Sequence, residues 1–336
     1  MNQQSAPWGT ERVMAMANTY WQSCALQAFV QTGLAAEMAK GQDTADGLAS
    51  RLGLDRRGTR LLLTALTTLG LLERRETAYA LREDAASLFT PGSPRDMSNY
   101  VLHMADMVAD WSRLAECVRS GAPAKRPDPE AGPGPAPGRT HFYRAMRDIA
   151  RQQARGLARR LGLEAGQNLL DLAGGPGVYG LTFAEETPGL AVTVFDLPGA
   201  EPFFQEEALA HPGAVGAAFR AGDYDQAPLG GPYDVVWISQ VLHGEGPEAC
   251  AALLGRAVGA LKPGGALWVQ EFVVRETGGH PFASLFSLNM LVNTQKGQAY
   301  DAGELAGMMT GAGLRDVEYM GPTKEGSPAA LMRGRR

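Results

Sequence analysis

The chain has 336 residues, 45% of them hydrophobic, and a formal net charge of −5. That length exceeds what single cores commonly reach, so two domains are expected. The acidic balance offers no basic footprint for nucleic acid, which leaves a small molecule as the expected partner. Cys24, Cys117 and Cys250 have no paired spacing and fit reduced, buried thiols better than a disulfide framework or a zinc site. The opening MNQQSAPWGTER lacks the basic and apolar regions of a secretory leader, and no run of about 18 apolar residues follows, so a soluble, cytoplasmic protein is expected.

In chain order, an apolar stripe comes first: Trp21, Leu26, Phe29, Val30 and Leu34. It exceeds what a small domain buries alone and is read as a homodimer surface, with an intradomain core as the alternative. Asp43 or Thr44 can cap a short helix carrying Leu48 and Leu52. A second helix follows, with Leu61, Leu62, Ala65, Leu66 and Leu69 at helical spacing and Gly70 as its stop. LLERRETAYAL then reads as a two-stranded wing, completing a winged helix. Arg56, Arg57 and Arg60 cluster at the start of the second helix, but the Leu, Thr and Ala after them offer little that could read base edges. A ligand-responsive DNA-binding regulator is thus the rival from another class. Lys125 to Arg139 is dense in Pro and Gly and cannot hold a helix. The expected organisation is a helical winged-helix-like dimerisation domain over 1–122, a linker over 123–139, and a second domain over 140–336.

A basic amphipathic helix is expected from Thr140. Beyond it, short apolar segments alternate with helical patterns: LLDL, AVTVFDL, a segment before GDYD, YDVVWIS and ALWVQEF. That alternation predicts an α/β, doubly wound parallel sheet, whose ligands sit beyond the carboxyl ends of the strands. Between the first strand and its helix lies Ala173-Gly174-Gly175-Pro176-Gly177, a turn almost stripped of side chains, read as the approach route of a nucleotide-like ligand. Gly175 to Gly180 also satisfies GxGxxG, a weak pointer to a dinucleotide. Against that, Asp171 stands just before the turn, where a pyrophosphate would be repelled and a cation welcomed. Asp196 ends the second strand, positioned to accept both hydroxyls of a ribose. Asp223 and Tyr224 follow the third, placed to meet an adenine amino group and ring.

LLDLAGGPG, VFDLPG, AGDYD, ISQVLH, LKPGGALWVQE and LNMLVNTQKGQAYDAGELAGMMTGAGL together resemble class I S-adenosylmethionine (SAM)-dependent methyltransferases. Over nearly its full length the chain is similar to the small-molecule O-methyltransferases of the plant caffeic-acid and bacterial antibiotic-tailoring type. The resemblance implies a Rossmann-like sheet and a homodimer that converts SAM to S-adenosylhomocysteine without a metal. Asp171 and the backbone at Gly175 and Gly177 would hold the methionine part, Asp196 the ribose, and Asp223 with Tyr224 the adenine, with Leu197 and Ser239 in the same set. Ala173 stands where the family has its first loop glycine.

The same resemblance places His243 as the general base that deprotonates a hydroxyl of an aromatic or polyketide-like acceptor, with Glu271 at the close of its strand orienting it. Gly244 and Glu245 stand where the family usually has Asp-Trp, and Ala299 where it has a second carboxylate. That loss keeps C-methylation or a drifted chemistry open as alternatives. Tyr143 and Met146, near His141 and Phe142 in the joining helix, His103 and Met104 in the helical half, and Asn289, Met290 and Asn293 near the end would line the acceptor site. His211 and His280 are expected in loops with no specific task. No His, Cys or carboxylate cluster has metal-ligand spacing.

Overall fold

The computed structural model describes residues 7–124, 139–275 and 281–336; most of the Pro- and Gly-dense stretch, and His280, lie outside the described residues. Two compact units emerge, Met1–Asp106 and Met107–Arg336.

The first unit runs α1 (Thr10–Asn18), α2 (Tyr20–Gln31), α3 (Leu34–Met38), β1 (Asp43–Thr44), α4 (Ala45–Leu52), α5 (Arg56–Thr68), β2 (Leu72–Arg75), β3 (Ala78–Leu81), α6 (Glu83–Ala86) and α7 (Ser98–Asp106). Thr44 and Asp55 start α4 and α5 by accepting the amides of Gly47 and Gly58, which would otherwise lack partners in a first turn. The wing is an antiparallel sheet in the order β1-β3-β2. Thr59, Leu63 and Leu66, at i, i+4 and i+7, form the buried stripe of α5, while Leu61 and Leu69 are exposed. The apolar stripe of the sequence divides. Phe29 and Leu34 belong to this unit's own core, with Leu26 and Val30 packed against it, but Trp21 is exposed. Trp21 lies five positions before Leu26, about 140° round the helix, so one face cannot hold both. Trp8, Val13, Met14, Met16 and Tyr20 share its exposure, each more than half accessible. Cys24 is also exposed, contrary to the expectation of a buried thiol, whereas Cys117 and Cys250 are buried.

The second unit begins with α8 (Val108–Trp111) and α9 (Leu114–Ser120). These helices, which the sequence groups with the first domain, pack on α15 through Trp111, Leu114 and Cys117, and the amide of Ala124 donates to the carbonyl of Val292. Next come α10 (Arg139–Arg151), α11 (Ala154–Leu161), β4 (Asn168–Leu172), α12 (Val178–Glu186), β5 (Ala191–Asp196), α13 (Glu201–Ala208), β6 (Ala217–Ala221), β7 (Tyr233–Ser239), α14 (Pro247–Ala260), β8 (Leu261–Val274), α15 (Pro281–Asn293), β9 (Tyr300–Asp301), α16 (Ala302–Gly311), β10 (Arg315–Pro322) and β11 (Ala329–Arg335). The main sheet has the order β10-β11-β8-β7-β4-β5-β6. Strands β4 to β8 run parallel, and β10 and β11 are antiparallel. Both faces are covered: Leu170, Leu172, Val236 and Ile238 point into one core, Leu169, Val235 and Trp237 into the other, as period-two alternation requires. The strand order reverses between β4 and β7, which opens a crevice at their carboxyl ends.

The single joining helix expected from Thr140 is two helices, interrupted at Gln152 and Gln153, whose amides reach back only to Ile149 and Ala150. The break turns the Gln153 side chain inward, where it donates to the Tyr179 hydroxyl at 2.8 Å. Nearby, Glu207 is fully buried and accepts from Arg151 of α10. His211, far from idle, bridges Glu185 of α12 (3.0 Å) and Glu207 of α13 (3.1 Å) with its two ring nitrogens. Only the imidazolium can donate from both. Burial opposes that charge, but the two carboxylates outweigh it and raise the His211 pKa above its ordinary value. His211 therefore contributes fully below about pH 6.5, the ordinary imidazole value, and its contribution is lost as pH rises through the raised folded value. Thermal unfolding of the wild type should show a stability decline above pH 6.5 that His211→Gln lacks; parallel curves for the two would refute the assignment.

Candidate active site

Asp171 is the last residue but one of β4, 1% exposed, and its Oδ2 accepts the amide of Gly180 at 2.9 Å. That amide belongs to the first turn of α12 and has no partner within its own helix. Oδ1 of the same carboxylate is buried without any hydrogen-bond partner. Burial, helped by the charge of Asp196 and opposed by the Gly180 amide, lifts the pKa of Asp171 to about 7. The bare turn exists first to make room for this side chain. A Cβ on Gly174 would lie 2.7 Å from the Asp171 carboxyl carbon, and one on Gly177 would lie 2.6 Å from the Phe204 ring. Ala173 adopts φ 56°, a left-handed conformation that costs a non-glycine residue roughly 1–2 kcal/mol.

Asp196 ends β5 and accepts the amides of Gly175 and Leu197, both at 2.7 Å, which fixes its carboxylate against the turn. Leu197, 40% exposed, offers an apolar edge beside it. Tyr143 of α10 is buried and stacked on Phe203 at 4.7 Å. Burial, then the charge of Asp196, raises the Tyr143 pKa; Met146 is half-buried on the same helix. Asp223 accepts from the Asp225 amide (2.9 Å) and the Gln226 side chain (3.2 Å), which shapes its own turn. Tyr224 packs against the core and donates its hydroxyl to Glu245 at 3.0 Å. Ser239, at the end of β7, donates to the buried Gln270.

His243 sits in a short 3-10 turn, Leu242–Gly244, immediately after β7. Glu271, 2% exposed, holds that turn: its Oε1 accepts the amides of Val241 and Leu242, both at 2.8 Å, and its Oε2 lies 2.7 Å from His243 Nδ1. A carboxylate only accepts, so Nδ1 donates in this contact, and in the neutral ring Nε2 is then the nitrogen with the lone pair. Glu271 lies inside β8 and does not close it, because pairing with β11 and β9 carries the strand on to Val274. Two phenylalanines that the sequence reading missed lie against the imidazole, and a third packs on both of them. Phe286 meets it edge-on at 4.7 Å, Phe272 lies alongside at 6.2 Å, and Phe282 stacks on Phe286. The i, i+4 spacing of Phe282 and Phe286 on α15 was their only sequence signal.

On α15, Asn289 and Asn293 extend the face of Phe282 and Phe286 at helical spacing. Trp111 donates to Asn289 Oδ1 at 2.8 Å, and Asn293 donates to the same oxygen at 3.0 Å. Met290 is buried. His103 and Met104 lie half-buried on α7 in the first unit. Ala299 is buried and brings no carboxylate. Among the described residues, no group of three or more His, Cys, Asp or Glu is placed to hold a metal ion.

A parallel sheet with this order reversal, an acid-and-glycine turn after β4 and a second acid ending β5 define a class I methyltransferase fold. Family models match residues 130–315 as an O-methyltransferase domain and residues 14–91 as an O-methyltransferase dimerisation domain. The chain is 32% identical to the 3-hydroxy-5-methyl-1-naphthoate 3-O-methyltransferase of Streptomyces sahachiroi, over 94% of this chain and 93% of that enzyme. It is 30% identical to the tetracenomycin polyketide synthesis 8-O-methyl transferase of Streptomyces glaucescens, over 98% and 97%. Human N-acetylserotonin methyltransferase, solved in complex with SAM, superimposes with a TM-score of 0.87 at 26% identity, covering 99% of both chains. The chain belongs to the O-methyltransferase family.

An ionised carboxylate with a buried, unpartnered oxygen destabilises the ligand-free chain above the raised pKa of Asp171. Asp171→Asn should therefore raise the unfolding temperature at pH 8, with a gain that shrinks as pH falls below about 7, where the wild-type group takes up its proton. A loss of stability at pH 8 would contradict this account of the site.

Proposed function

We propose that this protein methylates a hydroxyl group on an aromatic small molecule, with His243 as general base. It is a SAM-dependent O-methyltransferase; when bound, SAM supplies a methyl group on a positively charged sulfur. The fit of such a ligand rests on Asp171, whose buried Oδ1 has no partner of its own and suits the ammonium of the methionine part. Asp196 beside Leu197 suits the ribose and the start of the adenine, and Tyr224 the adenine ring. An aromatic acceptor is favoured by the wall of Phe272, Phe282 and Phe286 around His243. The two Streptomyces relatives, named for a naphthoate and a polyketide, support the same class. The match to the dimerisation domain, with the exposed apolar residues of α1 and α2, supports a homodimer.

The observation that carries the reading is the 2.7 Å contact between His243 Nδ1 and Glu271. A phenol has a pKa near 10, so about one molecule in a thousand is ionised at pH 7. Nε2 of His243 takes the hydroxyl proton, and Glu271 stabilises the imidazolium that results. General-base assistance of this kind is typically worth about 10² to 10⁴ in rate. Glu271 also holds the turn through two amides, so the absence of a second carboxylate at Ala299 leaves the base oriented from one side only.

His243→Ala should keep SAM affinity, read by calorimetry, while methyl transfer to a hydroxyaromatic acceptor falls at least about a hundredfold; unchanged turnover would remove His243 from the mechanism. Because SAM meets the ionised form of Asp171, its affinity should weaken as pH drops below about 7. Asp171→Asn should bind weakly and without that pH dependence.

A further inference from the structure

We propose that Glu245 is a positioning residue that ties the loop after β6 to the turn bearing His243, so that the seating of the cofactor's adenine and the alignment of the base are set together. This rests on the roles given above to Tyr224 and His243.

The turn from Val241 to Glu245 is short, and its internal bonds are few: the Gly244 amide reaches the Val241 carbonyl at 2.9 Å and the Glu245 amide reaches that of Leu242 at 3.1 Å. Its position is fixed from outside. Glu271 holds its beginning through the Val241 and Leu242 amides. Tyr300 holds its exit by donating to the Glu245 carbonyl at 2.6 Å. The Cys250 thiol adds a bond to the Leu242 carbonyl at 3.1 Å, and the Tyr224 hydroxyl donates to Glu245 Oε1 at 3.0 Å. Of these tethers, the one from Tyr224 originates in the loop assigned to the cofactor. Burial and the Glu245 carboxylate drive the Tyr224 pKa well above the phenolic range, so the hydroxyl remains a donor throughout neutral pH. Asp223 stiffens the other end of the link by accepting from Asp225 and Gln226. A tryptophan, which the resembled family usually places at this position, could not accept this hydrogen bond, so the tether belongs to this chain. Displacement of a catalytic group by about 1 Å can cost a hundredfold, which makes a tether two residues from the base consequential.

The test uses Tyr224→Phe, which keeps the ring and deletes the donor, Glu245→Gln, which keeps a side-chain oxygen acceptor, and Glu245→Ala, which deletes it. All are read by calorimetry with S-adenosylhomocysteine, by kcat and acceptor KM, and by thermal unfolding. Tyr224→Phe and Glu245→Ala should each weaken S-adenosylhomocysteine binding and lower kcat by about 3- to 10-fold, with acceptor KM unchanged and Glu245→Gln near wild type. The double variant Tyr224→Phe/Glu245→Ala should be no worse than either single one. Additive losses, or a Glu245→Gln as impaired as Glu245→Ala, would overturn the proposal. So would an equal fall in kcat on adding Tyr224→Phe to His243→Ala, since the tether acts through that base. Coupled loss of S-adenosylhomocysteine affinity in a chain whose wild type methylates no hydroxyaromatic compound would instead overturn the assigned reaction and support the tether.

Discussion

Asp171 is a charged group placed where water cannot reach it, one residue from the end of a central strand, and the local structure is arranged around that placement. Its Oδ2 is used by the first turn of α12, and the small residues of the turn are dictated by the space that its carboxyl group and Phe204 occupy. Its Oδ1 has no hydrogen-bond partner among the described residues. Cores on both faces of the sheet hold the group in place against its preference for water. A buried carboxyl left in this state favours a cationic ligand over an anionic one, which is what the proposed seating of SAM draws on.

Glu271 shows the opposite solution to the same problem. It too is a buried carboxylate at the sheet's ligand-bearing end, yet both oxygens are engaged, one by two backbone amides and the other by His243. A satisfied carboxylate orients; an unsatisfied one binds. The two stand on β4 and β8, flanking β7, whose end carries the turn with the base. Rigidity of the sheet thus sets the separation between Asp171 and the turn that bears His243. The phenylalanines around His243 add an apolar wall, so the imidazole works beside flat carbon surfaces, with one anion at its back.

Much of this was legible in the residues because parallel strands write strong signals. β4, β5 and β7 are short apolar runs and β8 contains one, ALWV, and acids stand at or next to the ends of β4 and β5. What was not legible has physical causes. Strand β10 is the edge element, with Arg315, Glu318 and Tyr319 exposed, so no clean alternation marks it, and β11 is set between β10 and β8 by pairing that spacing along the chain does not show. The break between α10 and α11 goes with Gln153 reaching Tyr179, a contact between segments 26 positions apart. The role of His211 depends on Glu207, four positions before it, and on Glu185, 26 positions away on α12, and the second of these no local pattern shows.

The sequence by itself determined the alternation of strands and helices, the acid-and-glycine turn, the acid ending the second strand, and the histidine after the fourth. These are local, because spacing along one element fixes which side chains share its face or its end. Only the tertiary structure decided that one oxygen of Asp171 has no partner among the described residues, that Glu271 reaches Nδ1 of His243, and that Phe272 and Phe286, with Phe282 packed on both, lie against the imidazole. Those facts depend on distances between strands and helices that packing alone sets, and a linear chain carries no record of such distances.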